Sequence, residues 1–402
     1  MLEKRNFCDV YCLPVSHFFD FLVLHTWLNK EMTDQIRRLT ETMGSLTMMA
    51  FVVYLRHKLR HMSSASSSSL TRKNDQNKTR REDLLRPFQY HMEREGKRLR
   101  QRFAELVGLE LGVEQNQRAV VARALGTLHN ASLLIDDIED LSVKRRGREA
   151  AYLKFGLPLT LNAANWKYFD ALSDLLHMPN ATRNQIVRIA NVYCEEMKRA
   201  HRGQAMDIYW RDNTECPPQE AYVEMVSCKT TTLFRAAYLM LASIATPSSV
   251  RYPTQTWLDL IDCLGAFFQV RDDVANLVLY AEDKGMCDDI AEGKYSYPVI
   301  LCISRHDSMS RRLLEILQNK SLRTQERAKR EALKCIVQSG ALESSLQELR
   351  RIRKDILTFY LGTRLVTVRK DLREFIKEFV EMQKIEDAAS RIVSSTVSTN
   401  KK

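Results

Sequence analysis

Glycine and proline are scarce in this chain, with 13 and 9 among 402 residues. An all-β fold needs those residues at its many turns, so their scarcity argues against one. Long stretches dominated by Leu, Ala, Glu, Arg and Lys point instead to a nearly all-α protein. Long apolar runs are also missing. None reaches the roughly 18 residues of a membrane span, and the longest candidate, 46–55, is too short. The nine cysteines are an odd number without secreted-domain spacing, which fits a reducing compartment. Cys8 and Cys12 are spaced loosely like ligands, but no His or Cys partner set follows, so no zinc is assigned. Nucleic-acid motifs are absent too. The net charge of +11 therefore reads as solvated helix faces plus a basic leader, not as a nucleic-acid surface. What the chain does have is apolar content, 45%, enough for a sizeable core.

Acids are nearly absent from Met48 to Arg81, where Asp75 stands alone among arginines, lysines and a serine run. Residues 1–81 read as an N-terminal extension, largely disordered, whose part 48–81 has presequence-like composition. That part would direct the protein to mitochondria only if translation began at Met48 or Met49; otherwise the expected location is cytoplasmic. From residue 82 the pattern changes to continuous helical periodicity. Helices are predicted over 86–109, 117–140, 158–176, 183–207, 218–245, 254–276, 297–304, 309–318, 324–339 and 343–361, with one or two more to 387. Breaks fall at Gly147, Gly156-Leu157-Pro158, Pro179-Asn180, Cys216-Pro217-Pro218 and Gly293. Residues 82–389 read as the catalytic domain, and 390–402 as a polar, frayed tail.

Two acidic clusters lie within the apolar helical stretches: Asp136-Asp137-Ile138-Glu139-Asp140 and Asp272-Asp273-Val274-Ala275-Asn276. A helix puts Asp136 and Asp140 on one face. Like charges at that spacing repel by about 0.2–0.5 kcal/mol on an exposed helix, and by more when buried. No basic residue sits beside either cluster on the predicted helix face, so cations are required. Facing carboxylates suit Mg²⁺, a hard ion that takes one or two carboxylates, water and substrate phosphates. Diphosphate chemistry follows as the expectation.

Further motifs accompany the clusters in a fixed order. Gly96-Lys97-Arg98-Leu99-Arg100 precedes His129-Asn130-Ala131-Ser132 and the first cluster. After it come Arg145-Arg146-Gly147, Gly203-Gln204-Ala205-Met206-Asp207-Ile208-Tyr209-Trp210-Arg211-Asp212, Lys229-Thr230, Phe267-Phe268-Gln269-Val270-Arg271 with the second cluster, and Glu292-Gly293-Lys294. With this ordered set, residues 85–386 resemble the trans-isoprenyl diphosphate synthases, and among them the geranylgeranyl diphosphate synthases of animals and fungi. The resemblance implies an all-α isoprenoid-synthase bundle with a central cavity, acting as a homodimer or an assembly of dimers. It implies three Mg²⁺ ions at Asp136, Asp140 and Asp272, with Asp137 and Asp273 in the same metal-bearing clusters. The ions would bridge the diphosphate of an allylic substrate. Arg145, Lys229 and Lys294, and more weakly Lys284, would face the departing diphosphate. Isopentenyl diphosphate would bind at Lys97, Arg100, His129 and Arg146, and Thr230 and Gln269 would lie beside the allylic cation. Small residues at Ala131 and Ser132, below the first cluster, imply a C20 product.

Each feature has a plainer rival. Lys97 and Arg100 fit a solvated helix face, His129 a satisfied core histidine, and Gln204 and Asp207 a bond across the bundle; Phe267 and Phe268 are read simply as core. Three departures from the family pattern bear on function: Thr231-Thr232 where glycines are usual, Val274 for a tyrosine, and Ala205 for a glycine. Added bulk there would reshape the cavity and favour a terpene synthase derived from this scaffold. An inactive regulatory subunit is a further alternative. Because Lys97, Arg100, His129 and Arg146 are all present, chain elongation is the preferred reading.

Overall fold

The computed structural model describes residues 82–94, 96–279 and 287–399, so the extension 1–81 and Lys284 lie outside the described residues. Glu82–Lys402 is a compact unit of its own. It is built from helices: α1 (Arg86–Met92), α2 (Leu99–Glu110), α3 (Gln115–Glu139), α4 (Ala151–Phe155), α5 (Leu157–Leu176) and α6 (Arg183–Asn213). There follow α7 (Gln219–Lys229), α8 (Thr232–Ile244), α9 (Thr254–Val278), α10 (Asp288–Glu292), α11 (Tyr297–Ile303), α12 (Ser308–Gln318) and α13 (Lys320–Arg323). The last are α14 (Glu326–Gln338), α15 (Ala341–Lys354), α16 (Lys370–Phe379) and α17 (Gln383–Thr399). Among the described residues the only strands are β1 (Lys144–Arg145) and β2 (Arg148–Glu149), a two-residue antiparallel hairpin. Its turn residues Arg146 and Gly147 both have positive φ, 53° and 73°, the geometry that lets so short a hairpin close.

Helix α3 packs along α5, α6 lies against α7 and α8, and α2 rests on α3 and α8. Helix α9 contacts α7, α15 and α17. The core between them is aromatic as well as aliphatic. Phe103, Phe234, Trp257 and Phe267 are fully buried, and Tyr238 stacks on Trp257 at 5.5 Å. Each such side chain contributes roughly 1.5–3 kcal/mol through apolar burial. The nearly all-α chain expected from composition, and the helical bundle implied by the resemblance, are the observed architecture.

Three predicted helices are broken where the pattern showed none. The helix expected over 86–109 stops at Met92 and restarts at Leu99, because Arg98 adopts a left-handed conformation (φ 50°) and Gly96 sits against the Arg146 guanidinium. A Cβ at Gly96 would lie 3.1 Å from Arg146 Nη2. The helix expected over 218–245 divides at Thr230-Thr231. The hydroxyls of Thr231 and Thr232 donate back to the carbonyls of Val226 and Cys228, a competition with helical bonding that bends the chain. The helix expected over 343–361 widens into π-helical turns over Asp355–Arg364. At the other end of the scale, α6 runs six residues past its predicted end, and α17 stays helical beyond Ser390, where fraying was expected.

The bulk of Thr231 is accommodated by Gly265 on α9. A Cβ at Gly265 would collide with the Thr231 hydroxyl and crowd its Cβ. Gly265→Ala is therefore expected to lower unfolding stability by about 1–3 kcal/mol, as overpacking does. Combining it with Thr231→Gly should give a smaller loss than the two single changes added together. Denaturant titration of the four proteins checks both statements.

Candidate functional site

Helices α3 and α9 carry the two acidic clusters to one cavity of about 350 Å³. Asp136, Asp272 and Asp273 line it, together with Glu139, Asp207 and Asp289. The cations that the clusters require come from other segments. The hairpin supplies Arg145, which donates to Asp136 at 2.9 Å and through Nε to Asp137 at 2.6 Å. The C-terminus of α7 supplies Lys229, 2.7 Å from Asp207 and 3.8 Å from Asp136. The turn after α10 supplies Lys294, 2.5 Å from Asp140 and 2.6 Å from Glu292. Helix α6 supplies Arg211, 2.7 Å from the other Asp140 oxygen, and Gln204, which donates to Glu139 at 2.7 Å. The expectation that no basic partner stood near the clusters is thus corrected: the fold brings Arg145, Lys229, Lys294 and Arg211 to the carboxylates.

These pairings decide charge. Burial alone would raise the Asp136 carboxyl, but Lys229, Lys294 and Arg145 hold it well below the usual carboxylate range. Lys229, whose desolvation would lower it, is pushed up instead by Asp207 and Asp136. Within the first cluster the carboxylates have separate surroundings. Asp136 faces the cavity, whereas Asp137 is 1% exposed and bound to Arg145, and both oxygens of Asp140 are taken by Arg211 and Lys294. In the second cluster Asp273 accepts from the Tyr222 hydroxyl, the Tyr297 backbone N–H and Gln269. Burial nevertheless pushes its carboxyl up to about 6. Thr230 donates to Gln269 Oε1 at 2.5 Å, so threonine, glutamine and aspartate form one chain along the cavity wall.

A second cavity, of about 210 Å³, opens on the other side of Arg100, His129, Phe268 and Asp272, which line both. Lys97, Arg98, Arg146 and Arg271 complete its basic lining. Arg100 lies over the rings of Phe234 and Phe268, at 5.5 and 5.8 Å, and is pushed down to about 10 by burial, opposed by Asp272. Among the described residues its Nε has no hydrogen-bond partner. His129 is held neutral, first by burial and then by Arg100, whose Nη1 lies 3.2 Å from its Nε2. All four residues expected for the metal-free diphosphate therefore meet at one cavity.

Other expectations divide. Ser132 lines the first cavity, but Ala131 does not: it is buried with Phe88, Leu134, Ala151 and Ala164 in a separate cluster. Phe267 is core, whereas Phe268 forms part of the wall between the cavities, which corrects its reading as core alone. The three departures leave the cavity lining alone. Thr231, Thr232 and Val274 are buried away from it and Ala205 is exposed. The sequence reading gave no role to Arg211, Arg271 or His91. Arg211 and Arg271 stood inside quoted motifs, but His91 carried no signal beyond being a lone histidine.

Residues 81–336 match the family model for polyprenyl synthetase. The chain belongs to the polyprenyl synthetase family. Among its relatives, geranylgeranyl pyrophosphate synthase 1 of Zymoseptoria tritici is 36% identical over 69% of this chain and 80% of its own length. The geranylgeranyl pyrophosphate synthase of Mucor circinelloides is 35% identical over 72% of this chain and 95% of its own. That of Hypoxylon pulicicidum is 40% identical, and the match spans 64% of its length. A solved geranylgeranyl pyrophosphate synthase of Corynebacterium glutamicum, complexed with isoprenyl diphosphate and magnesium, superposes with a TM-score of 0.65 at 19% identity. The alignment covers 75% of this chain and 89% of that one. The synthetase of Geoglobus acetivorans gives 0.62 at 23% identity, covering 74% and 94%. This polyprenyl synthetase-family member therefore shares their fold. Among its described residues no helix is long and apolar enough to cross a membrane.

His91 packs beside the second cavity, with Nε2 3.2 Å from Asn130 Oδ1, to which Arg146 also donates. Burial, with Arg146 and Arg145, pushes its pKa down to about 4. The unfolded chain, with an ordinary histidine, binds the proton first as pH falls. Stability from this group is complete above the ordinary histidine pKa of about 6.5 and is lost as pH falls toward 4, by up to about 3 kcal/mol. His91→Gln keeps a donor for Asn130 without a titrating ring. It should flatten the stability–pH slope across that window, measured by denaturant titration at a series of pH values.

Proposed function

We propose that this family member condenses isopentenyl diphosphate with allylic diphosphates, forming geranylgeranyl diphosphate in the presence of Mg²⁺. The observation that carries the reading is the pair of cavities divided by one wall. One is lined by carboxylates and lysines, and the other is basic. An enzyme that only ionises one diphosphate has no use for the second. The relatives' names support the product, and the small Ser132 at the cavity supports its length.

Asp136 and Asp272 are the residues fitted to hold Mg²⁺, because their oxygens face one cavity with room beside them for phosphate. Asp140 would join once Lys294 and Arg211 release it, and the family resemblance implies three ions. Among the described residues no three His, Cys, Asp or Glu side chains form a ready metal group. That suits an ion taking most of its ligands from water and phosphate. Bound there, the ions supply charge neutralisation that makes diphosphate a better leaving group. Lys229, Lys294 and Arg145, now paired with carboxylates, would turn part of their charge toward the departing diphosphate as fixed electrostatic stabilisation. Across the wall, Arg100 and Arg146 offer planar forks for the isopentenyl diphosphate, with Lys97 as a point charge and neutral His129 as a donor or acceptor. The oxygens of Thr230 and Gln269 would face the allylic carbons, where positive charge develops. The proton lost as the new C–C bond forms would pass to the released diphosphate. We further propose a homodimeric or higher assembly and a cytoplasmic location.

Purified full-length chain is incubated with Mg²⁺ and C5, C10 or C15 allylic diphosphate, with and without isopentenyl diphosphate, and the products are identified. The expected outcome is C20 diphosphate only when isopentenyl diphosphate is present, abolished by EDTA. Terpenes formed without isopentenyl diphosphate would overturn the reading. Asp136→Ala should cost more than the about 10–100-fold typical of groups that only orient metal ligands. Ser132→Phe should shorten the product, whereas Ala131→Phe, which packs against Phe88 and Ala164, should mainly destabilise the fold.

A further inference from the structure

Lys294 does not stand on a long helix. It follows α10, a helix of five residues, and its reach to Asp140 depends on what holds that short turn in place. The end of a helix leaves four carbonyls without partners inside it. Here all four are satisfied. Gly293, at φ 84°, donates to Asp289 and Ile290, and the Lys294 N–H also donates to Asp289 at 2.8 Å, as in a Schellman cap. The remaining two, Ala291 and Glu292, accept from Arg323 Nε and Nη2, each at 3.0 Å. The third arm, Nη1, donates to the Leu317 carbonyl at 2.9 Å.

Arg323 is 9% exposed, and all three of these bonds go to backbone oxygen. A buried guanidinium is costly, and three carbonyls aligned to its fork offset that cost. Its plane also lies against Gly293, where a Cβ would collide with the guanidinium, so the turn and the arginine fit only each other. The other end of α10 is held separately, by the Asp289 N–H donating to Asn276. Arg323 thus clamps the C-terminal lip of the first cavity, from which Lys294 and its neighbours Tyr295 and Ser296 face inward. No residue of this lip lines the second cavity.

We propose that Arg323 is a positioning residue for the allylic diphosphate half-site, acting through the turn that carries Lys294 and touching no substrate itself. The proposal rests on the reading of Lys294 as a diphosphate-facing cation.

The test is a double-mutant cycle in the full chain: Arg323→Met, Lys294→Ala and the combination, with Arg323→Lys as the conservative variant. For each, kcat and KM are measured for the allylic diphosphate and for isopentenyl diphosphate, with a thermal melt alongside. Misplacing the lysine should lower kcat/KM for the allylic substrate by about 10–100-fold, with isopentenyl KM within about threefold of wild type. The double variant should be no worse than Lys294→Ala by more than about threefold, and Arg323→Lys should recover part of the loss. Losses that multiply in the double variant overturn the proposal while leaving the role of Lys294 intact. Wild-type kinetics for Lys294→Ala overturn the underlying reading, and this proposal with it. A lower melting temperature with unchanged allylic kinetics makes Arg323 structural only and also overturns it. If Arg323→Met does not fold, Gly293→Ala perturbs the same clamp from the other side, and its coupling to Lys294→Ala decides the matter by the same criterion.

Discussion

Several carboxylates share one desolvated cavity, and the fold around them is organised by the need to neutralise that charge. Removing an ion from water costs several kcal/mol, so each unpaired carboxylate in this cavity would threaten a native state stable by only about 5–15 kcal/mol. The compensating cations arrive from the irregular parts of the chain: Arg145 from the hairpin, Lys229 from the end of α7, and Lys294 from the turn after α10. Most of the acids stand on or at the end of α3 and α9, and these three bases stand at the ends of elements or in turns. That division has a mechanical consequence. Cations held at element ends can exchange a carboxylate for a phosphate without moving a packed helix, so charge balance survives when substrate and metal enter.

The same electrostatics separates the two cavities. Arg100 belongs to both, but among the described residues it is held by Phe234 and Phe268 on its face and by neutral His129 at one end, without a carboxylate salt bridge. Its charge is therefore available to an incoming anion, whereas the cations of the first cavity are already engaged. On the proposed reading the first cavity, with its pre-paired cations, would take the metal-assisted diphosphate and the second, with its less engaged arginine, the metal-free one. Phe268 gives the dividing wall an apolar surface between two polar chambers.

Much of this was legible in the sequence because charge in an apolar helix is a conspicuous pattern. The spacing of Asp136 and Asp140, and the ordered basic motifs, led to both cavities and to most of their linings. What escaped was set by tertiary contact. Periodicity carried a helix through Gly96 and through Thr230-Thr231, since neither alone outweighs its neighbours' helical preference. The breaks come from Arg146 packed on Gly96 and from threonine hydroxyls bonding backward. Periodicity likewise could not tell Ala131 from Ser132. Adjacent residues on a helix point about 100° apart, and only the packing of α3 against α5 shows which one meets the cavity. Arg323 was invisible for a further reason: it falls between two predicted helices and looks like any charged surface residue until its three backbone acceptors are seen.

The departures from the family pattern at Thr231 and Thr232 illustrate how local and global constraints were reconciled. At Gly203 on α6 a Cβ would collide with the backbone nitrogen of Lys229 and with Cys228, so α6 and α7 approach closely there only because Gly203 has no side chain. That close approach brings Lys229 within reach of Asp207 and Asp136 and aims Thr230 at Gln269. Once α7 ends at this contact, the next residue must turn toward α9, where Gly265 leaves the space that the Thr231 side chain fills. Two glycines on two different helices thus bracket the Lys229-Thr230-Thr231 corner. The added methyl and hydroxyl of Thr231 are absorbed by Gly265, not by the cavity, and a change that reads in sequence as a narrowed active site becomes a packing solution behind it.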